Sequence, residues 1–324
     1  MDLENDKRKG KYRKAESSET LLSDFNDLIS DFKVDLKEAK SDLPLIFVVG
    51  LPRSGTTLLM QCLAQSFDIG FVNNIVARFW SNPLLGFLLS QLAGSSYKSD
   101  FTNDFGKTND AYAPHEFSYF WNKNFKVTRY QSYLAEVNSK IIEWPSIFDT
   151  IKKMQAAHGK GFLFKAMHQG RHLSEFYESF PNLFVIYIKR DPIEVSHSVL
   201  KARRNYYSDP NEWWSLFSRN YKEIKSKPYH EQIPLQLESL NNEFDTNFAQ
   251  LPEANKILVE FTDLIGTPSN VILDIANKIE ELSGVDILLE DRISLMPKSF
   301  ESSKSKSFEL DDLLYNESLK YFRR

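Results

Sequence analysis

Four short apolar runs constrain this chain most: LPLIFVV at 43–49, GFLFK at 161–165, LFVIYIK at 183–189 and KILVEF at 256–261. None alternates apolar with polar residues, as a strand with one wet face would. Continuous apolar runs of this length fit strands buried on both faces, as in a parallel sheet. Helical spacing fills the intervals, at 57–65, 173–180, 192–203 and 270–282. Strands alternating with helices predict an α/β fold, a three-layer α/β/α arrangement around a central parallel sheet.

The chain has 324 residues, enough for one large α/β domain or two small ones. No repeat or linker divides it, so 19–324 reads as one domain. Two segments rich in Asn, Phe, Tyr and Trp, about 67–130 and 206–250, read as insertions where a substrate pocket is usually built. Within the second, NEWWSLFSRNY at 211–221 has the apolar spacing of a helix packed on the core. Arg203 and Arg204 are expected in solvent at the end of the preceding helix, where the dipole favours cations. Residues 1–18 are polar and of mixed charge and read as a mobile tail. From 19 to about 40, Leu21, Leu22, Phe25, Leu28, Ile29 and Phe32 predict an amphipathic helix on the body.

A net charge of −4 leaves no basic field for nucleic acid, so any anion site must be local. Cys62 is the one cysteine; it cannot form an internal disulfide, which fits a reducing compartment, and a cytoplasmic location is expected. No run of eighteen apolar residues predicts a transmembrane helix, and the charged N-terminus lacks the apolar core of a secretory signal. His172, His197 and His230 have no partner spacing for a metal, and none is expected.

The first apolar run leads into GLPRSGTTL, beginning at Gly50. Read as G-x-x-x-x-G-x-S/T, this is nearly a nucleoside-triphosphate P-loop. A strand, a glycine-bearing turn and a helix N-terminus aim free N–H groups and partial positive charge at one point. Gly55 permits the close approach, Ser54, Thr56 and Thr57 add hydroxyls, and Arg53 adds a planar fork for oxyanions. The bland alternative is a structural strand-to-helix turn with a surface arginine. The lysine that reaches the β- and γ-phosphates in nucleoside-triphosphate loops is absent; Thr56 stands there. Such a loop suits a shorter, diphosphate-like group.

A second motif, FVIYIKRDPIEVSHSVL, runs from Phe184 to Leu200. A buried strand ends in Arg190, Asp191 and Pro192 read as N-cap and first helical residue, and Ser198 follows two turns along. Arg190 and Ser198 can converge on one phosphate, although Arg190 could instead pair with Asp191 or Glu194.

PRSGTTLL resembles the 5′-phosphosulfate loop of the sulfotransferase family, and Arg190 with Ser198 resembles its 3′-phosphate motif. An arginine at position 53 is similar to the branches acting on proteins, carbohydrates and bacterial metabolites. SFPNLFVIYIKRDP and ILVEFTDLIGTPSNVILDIANKIEELSGV resemble later segments of the family, with Thr262 standing where glutamate is usual. The glycine-rich closing segment of the cytosolic phenol and steroid enzymes is absent; KSFESSKSKSF at 298–308 reads as a solvated flexible stretch, the alternative being that it covers the nucleotide in that segment's place. The resemblance implies a P-loop nucleoside-triphosphate-hydrolase-like fold. It also implies sulfuryl transfer from 3′-phosphoadenosine 5′-phosphosulfate, without metal, to a hydroxyl or amine of a small-molecule, glycan, lipid or protein acceptor.

Such a transfer needs a base and cations near the bridging oxygen. The cytosolic enzymes carry Lys-Thr-His after the equivalent strand, the histidine being the base; here Lys165 is followed by His168, one residue later. Glu116, in the aromatic stretch YAPHEFSYFWNK, is the other candidate, with a pKa expected to be raised by its surroundings. His115 could equally face the pocket. Two rival readings are a small-molecule or nucleotide kinase and a non-catalytic nucleotide-binding protein on the same scaffold.

Overall fold

The computed structural model describes residues 5–34, 43–94, 97–126, 141–301 and 311–323. Five strands form one sheet: β1 (Leu45–Val49), β2 (Gly70–Phe71), β3 (Phe162–Lys165), β4 (Leu183–Lys189) and β5 (Lys256–Glu260). Their order is β2-β3-β1-β4-β5, and every neighbouring pair is parallel. The four apolar runs are β1, β3, β4 and β5. β2 is only two residues long, too short for any periodicity to reveal it.

The longer helices are α1 (Glu16–Ile29), α2 (Thr56–Ser66), α3 (Pro83–Leu92), α4 (Ser118–Asn124), α5 (Trp144–His158), α6 (Leu173–Ser179), α7 (Pro192–Tyr206), α8 (Tyr229–Ala249), α9 (Pro268–Ser283) and α10 (Asp312–Phe322). Alternate residues of the strands feed two cores. Phe47, Val49, Phe164, Val185 and Tyr187 pack with α5, α6 and α8, against Ile151, Phe176 and Phe244. Ile46, Val48, Leu163, Ile186 and Ile188 pack with α2 and α9, against Leu59, Leu63, Ile272 and Ile275. At β1, β3 and β4 the sheet is thus covered on both faces, which is why those runs are unbroken rather than alternating. The edge strand β5 departs from the expectation: its burial alternates, and Leu258 is 55% exposed because no strand or helix among the described residues covers it. β1 sits between β3 and β4: the chain passes from β1 to the β2–β3 side and later crosses from β3 to the β4–β5 side. The carboxyl ends of β1, β3 and β4 therefore open on one crevice, the usual ligand position in such sheets.

Several expectations need correction. α1 begins at Glu16 and ends at Ile29, with residues 35–40 of the expected helix outside the described residues. Asn26 is its one buried residue and anchors it, donating to Arg78 O at 2.8 Å and accepting from Ser81 N at 2.8 Å. Part of the expected mobile tail is packed: Lys9 N donates to Tyr206 O at 2.8 Å, and Tyr12 is 7% exposed.

Between α7 and α8 the expected helix at 211–221 is an irregular loop, with helix only at Tyr221–Ile224. Its carbonyls are held by buried side chains from elsewhere. Arg171 donates to Phe217 O, and Gln236 Nε2 to Leu216 O at 2.7 Å and Trp214 O at 3.2 Å. α8, 21 residues long, lay within the segment read as insertion; Pro234 inside it breaks the helical signal.

Arg203 is not in solvent but fully buried. It donates to Gln232 Oε1 at 2.9 Å, Gln236 Oε1 at 3.0 Å and Pro210 O at 3.3 Å. Burial pushes its pKa down to about 9. Only Arg204 is exposed, and it pairs with Asp311 at 2.9 Å. Arg203→Leu should orphan buried acceptors at a cost of roughly 1–3 kcal/mol each. Urea unfolding should show a lower midpoint at unchanged slope; an unchanged midpoint would mean the loop is held by other contacts.

Candidate active site

The turn between β1 and α2 is built from close approaches. A side chain at Gly50 would meet Ser54 Oγ at 2.6 Å and Ile188 O at 2.8 Å. Arg53 and Gly55 both have left-handed backbones, with φ of 72° and 105°. A Cβ on Gly55 would lie 2.5 Å from the Phe261 ring, so only glycine fits. Ser54 N donates to Leu51 O at 3.0 Å, and Leu59 N begins the helical ladder on Gly55 O at 3.0 Å. The amides of Thr56, Thr57 and Leu58 precede that first bond and have no intrahelical acceptor. Ser54 is 1% exposed, and its hydroxyl has no protein partner among the described residues. A buried hydroxyl left open at a helix N-terminus is a site for a ligand oxygen.

Asp191 caps α7 as expected, accepting from Ile193 N at 2.8 Å and Glu194 N at 3.3 Å, with Pro192 as first residue. The two sequence motifs meet in space. Arg53 Nε donates to Ser198 Oγ at 3.1 Å, and Arg190 Nη1 donates to Arg53 O at 3.2 Å. Burial first, then the neighbouring Arg190 charge, pushes the Arg53 pKa down to about 10. Two guanidinium groups held this close leave positive potential for an anion. Arg190 also pairs with Glu194 at 3.2 Å, the alternative partner foreseen for it, and lies over the Phe261 ring at 4.3 Å.

A second cluster adjoins the loop. Lys165, at the end of β3, donates to Thr57 Oγ1 at 2.9 Å and forms an ion pair with Glu116. The Lys165 side chain is 6% exposed, whereas Glu116 is 40% exposed and open to a substrate. The turn that presents Glu116 is fixed on both sides. His115 N donates to Val72 O at 2.8 Å, and Phe117 N donates to His115 Nδ1 at 2.8 Å. Desolvation would raise the Glu116 pKa, but Lys165 overrides it and holds the carboxyl below its ordinary range. This reverses the expected direction, because the aromatic sequence around Glu116 gave no sign of the lysine. Glu116 is therefore ionised at neutral pH and ready to accept a proton. His168 begins the turn after β3, near enough to Glu116 for their charges to interact, and burial pushes its pKa down to about 4.

Residues 44–281 match the sulfotransferase family. The chain belongs to the sulfotransferase family. No curated protein sequence matches it. Among solved structures, a sulfotransferase from Mycobacterium tuberculosis is similar at a TM-score of 0.53 and 15% identity, covering 94% of this chain and 81% of that one. A sulfotransferase from Mycobacterium avium is similar at 0.52 and 15%, with the same coverage. At that identity the likeness shows the fold alone, a parallel P-loop-like sheet flanked by helices.

Within this sulfotransferase, Arg53, Ser54, Gly55, Thr56, Thr57, Arg190 and Ser198 lie at one crevice, with Lys165, Glu116 and His168 beside them. Three neighbours were not foreseen. Phe261 follows β5 directly, a strand-end position that could have drawn notice, and the turn at Phe105 and Gly106 carries an Asp-x-Gly turn signal. Tyr12 gave no signal in its polar segment. Of KSFESSKSKSF, residues 302–308 lie outside the described residues; Phe300 N donates to Ile265 O at 2.7 Å. Among the described residues no group of three or more His, Cys, Asp or Glu side chains could hold a metal, and no helix is long and apolar enough to cross a membrane.

His115 and His168 both have folded pKa values near 4 against an ordinary 6.5, burial being the main cause. Between those values the unfolded chain binds protons that the folded chain refuses. Stability therefore rises with pH across the window and is lost on acidification. The unfolding temperature should fall between pH 6.5 and 4, less steeply in His168→Gln. A flat profile would show both imidazoles to be solvated.

Proposed function

We propose that the chain transfers the sulfuryl group of 3′-phosphoadenosine 5′-phosphosulfate to a hydroxyl of a small-molecule or glycan acceptor. The observation that carries this is the meeting of Arg53 with both Arg190 and Ser198, beside a loop whose Ser54 hydroxyl is unpartnered. A donor with phosphate at both 3′ and 5′ positions matches two adjoining anion sites. On this reading Ser54, Gly55, Thr56 and Thr57 hold the 5′-phosphosulfate, Arg190 and Ser198 the 3′-phosphate, and Arg53 serves both. The body from 19 to 324 acts as one domain, and the first of its aromatic segments, which carries Glu116, supplies the acceptor wall.

Glu116 takes the proton of the acceptor hydroxyl as the acceptor oxygen bonds to sulfur. The bond from sulfur to the bridging oxygen breaks, and the electron pair stays on the departing bisphosphate. Lys165 stands between base and loop, bonded to Glu116 and Thr57, and counters the charge that grows on the bridging oxygen. Its reach to Thr57 also brings an ammonium to a loop that lacks its own lysine. His168 is neutral beside the pair and is the alternative base.

Arg53→Ala and Arg190→Ala should each weaken adenosine 3′,5′-bisphosphate binding by roughly 1.5–3 kcal/mol, or about 10- to 150-fold, in calorimetry. Unchanged affinity in both would sink the site assignment. Glu116→Gln should lower turnover about 10²- to 10⁴-fold on an acceptor found by screening, with bisphosphate affinity kept. Survival of turnover in that variant, together with its loss in His168→Ala, would transfer the role of base to His168.

A further inference from the structure

The segment 7–14 takes no part in the chemistry proposed above, yet it is attached to elements that border the residues that do. Residues 104–107 form a tight turn in which Asp104 N donates to Lys107 O at 2.8 Å and Lys107 N to Asp104 O at 3.1 Å. Phe105 and Gly106 at its tip have left-handed φ of 51° and 92°, as a two-residue hairpin turn requires. The tip lies over the site. The Phe105 ring centre is 5.2 Å from the Arg53 guanidinium. A Cβ on Gly106 would lie 3.5 Å from Thr57 Oγ1, 3.6 Å from Glu116 Oε1 and 3.7 Å from Lys165 Nζ.

The 7–14 segment fastens this turn to α7. Tyr12 stacks on Tyr206, the last residue of α7, at 4.0 Å and 22°. Its hydroxyl donates to Asp104 Oδ1 at 3.1 Å, and Lys11 pairs with Asp104 at 2.6 Å. One tyrosine thus ties the helix that carries Ser198 to the turn that covers Thr57 and Glu116.

We propose that Tyr12 is a positioning residue for the transfer step: it clamps the Phe105–Gly106 tip over Arg53 and the Thr57–Lys165–Glu116 cluster, limiting the water that reaches that cluster. The proposal rests on the donor reading above. Water admitted beside Glu116 would compete with the acceptor. Its oxygen would bond to sulfur, the bond to the bridging oxygen would break, and sulfate and adenosine 3′,5′-bisphosphate would leave, with the released protons passing to Glu116 and solvent. A clamp that limits water suppresses this loss.

The test uses the full chain as wild type, Tyr12→Ala and Tyr12→Phe. Hydrogen exchange at the Asp104 and Lys107 amides should be about tenfold or more faster in Tyr12→Ala, with β4 amides unchanged as the control for folding. Tyr12→Phe keeps the stack on Tyr206 but loses the hydroxyl bond to Asp104, and its exchange should fall between wild type and Tyr12→Ala. Acceptor-free hydrolysis of 3′-phosphoadenosine 5′-phosphosulfate should rise several-fold in Tyr12→Ala, while calorimetric affinity for the bisphosphate is kept. Unchanged exchange overturns the clamp; faster exchange with unchanged hydrolysis overturns its role in the reaction. Failure of the wild type to bind the bisphosphate is the separate failure of the donor reading. It removes the claim about water, while exchange, which needs no ligand, still decides whether Tyr12 holds the turn.

Discussion

Much of the site depends on the backbone at Arg53. A non-glycine residue in the left-handed region costs about 1–3 kcal/mol and persists only where its surroundings fix it. Here they do. That conformation turns the Arg53 carbonyl to Arg190 and its guanidinium to Ser198, so one residue of the β1–α2 turn is bonded to both ends of the β4–α7 motif. The two strands are neighbours in the sheet, Val49 beside Tyr187, and β4 runs two residues past the end of β1, which carries Arg190 up alongside the β1–α2 turn. The parallel sheet brings the motifs to one edge, and the strained arginine joins them.

The second cluster depends on the same sheet from its other side. β3 lies against β1 with Lys165 beside Val48, which delivers the lysine to the first turn of α2. Glu116 comes from a segment with no place in the sheet and is drawn in by Lys165. The pair shows how two opposed effects resolve. Desolvation alone would push the Glu116 pKa up, but an ammonium in direct contact holds it below the ordinary range. The carboxylate therefore stays ionised at neutral pH, and its ion pair makes it a weaker base than a carboxyl shifted up by desolvation alone would be.

The fold was largely legible because a doubly covered parallel sheet writes itself as unbroken apolar runs. The loop at Gly50 and the motif at Arg190 were legible because each is local, with its residues within nine positions of one another. What escaped depends on distant partners. Lys165 and Glu116 are 49 residues apart, and nothing in either stretch announces the other. The loop at 211–220 has helical spacing but spends its carbonyls on Arg171 and Gln236, tertiary bonds that outweigh a local propensity. Arg203 looked like a solvent cation because only the fold shows Gln232 and Gln236 waiting for it. Tyr12 was lost in a polar segment whose one aromatic stacks against a helix end nearly two hundred residues later.

The most direct measurement is thermal unfolding of the wild type with adenosine 3′,5′-bisphosphate, with 5′-AMP, and with ATP plus magnesium. A ligand at a hundredfold its dissociation constant adds about 2.7 kcal/mol of stability, which a melting curve reads easily. The two adjoining anion sites we propose predict stabilisation by the bisphosphate and much less by the other two. Stabilisation by ATP with magnesium, and none by the bisphosphate, would contradict the 3′-phosphate role of Arg190 and Ser198 and favour a phosphoryl-transfer enzyme on this scaffold.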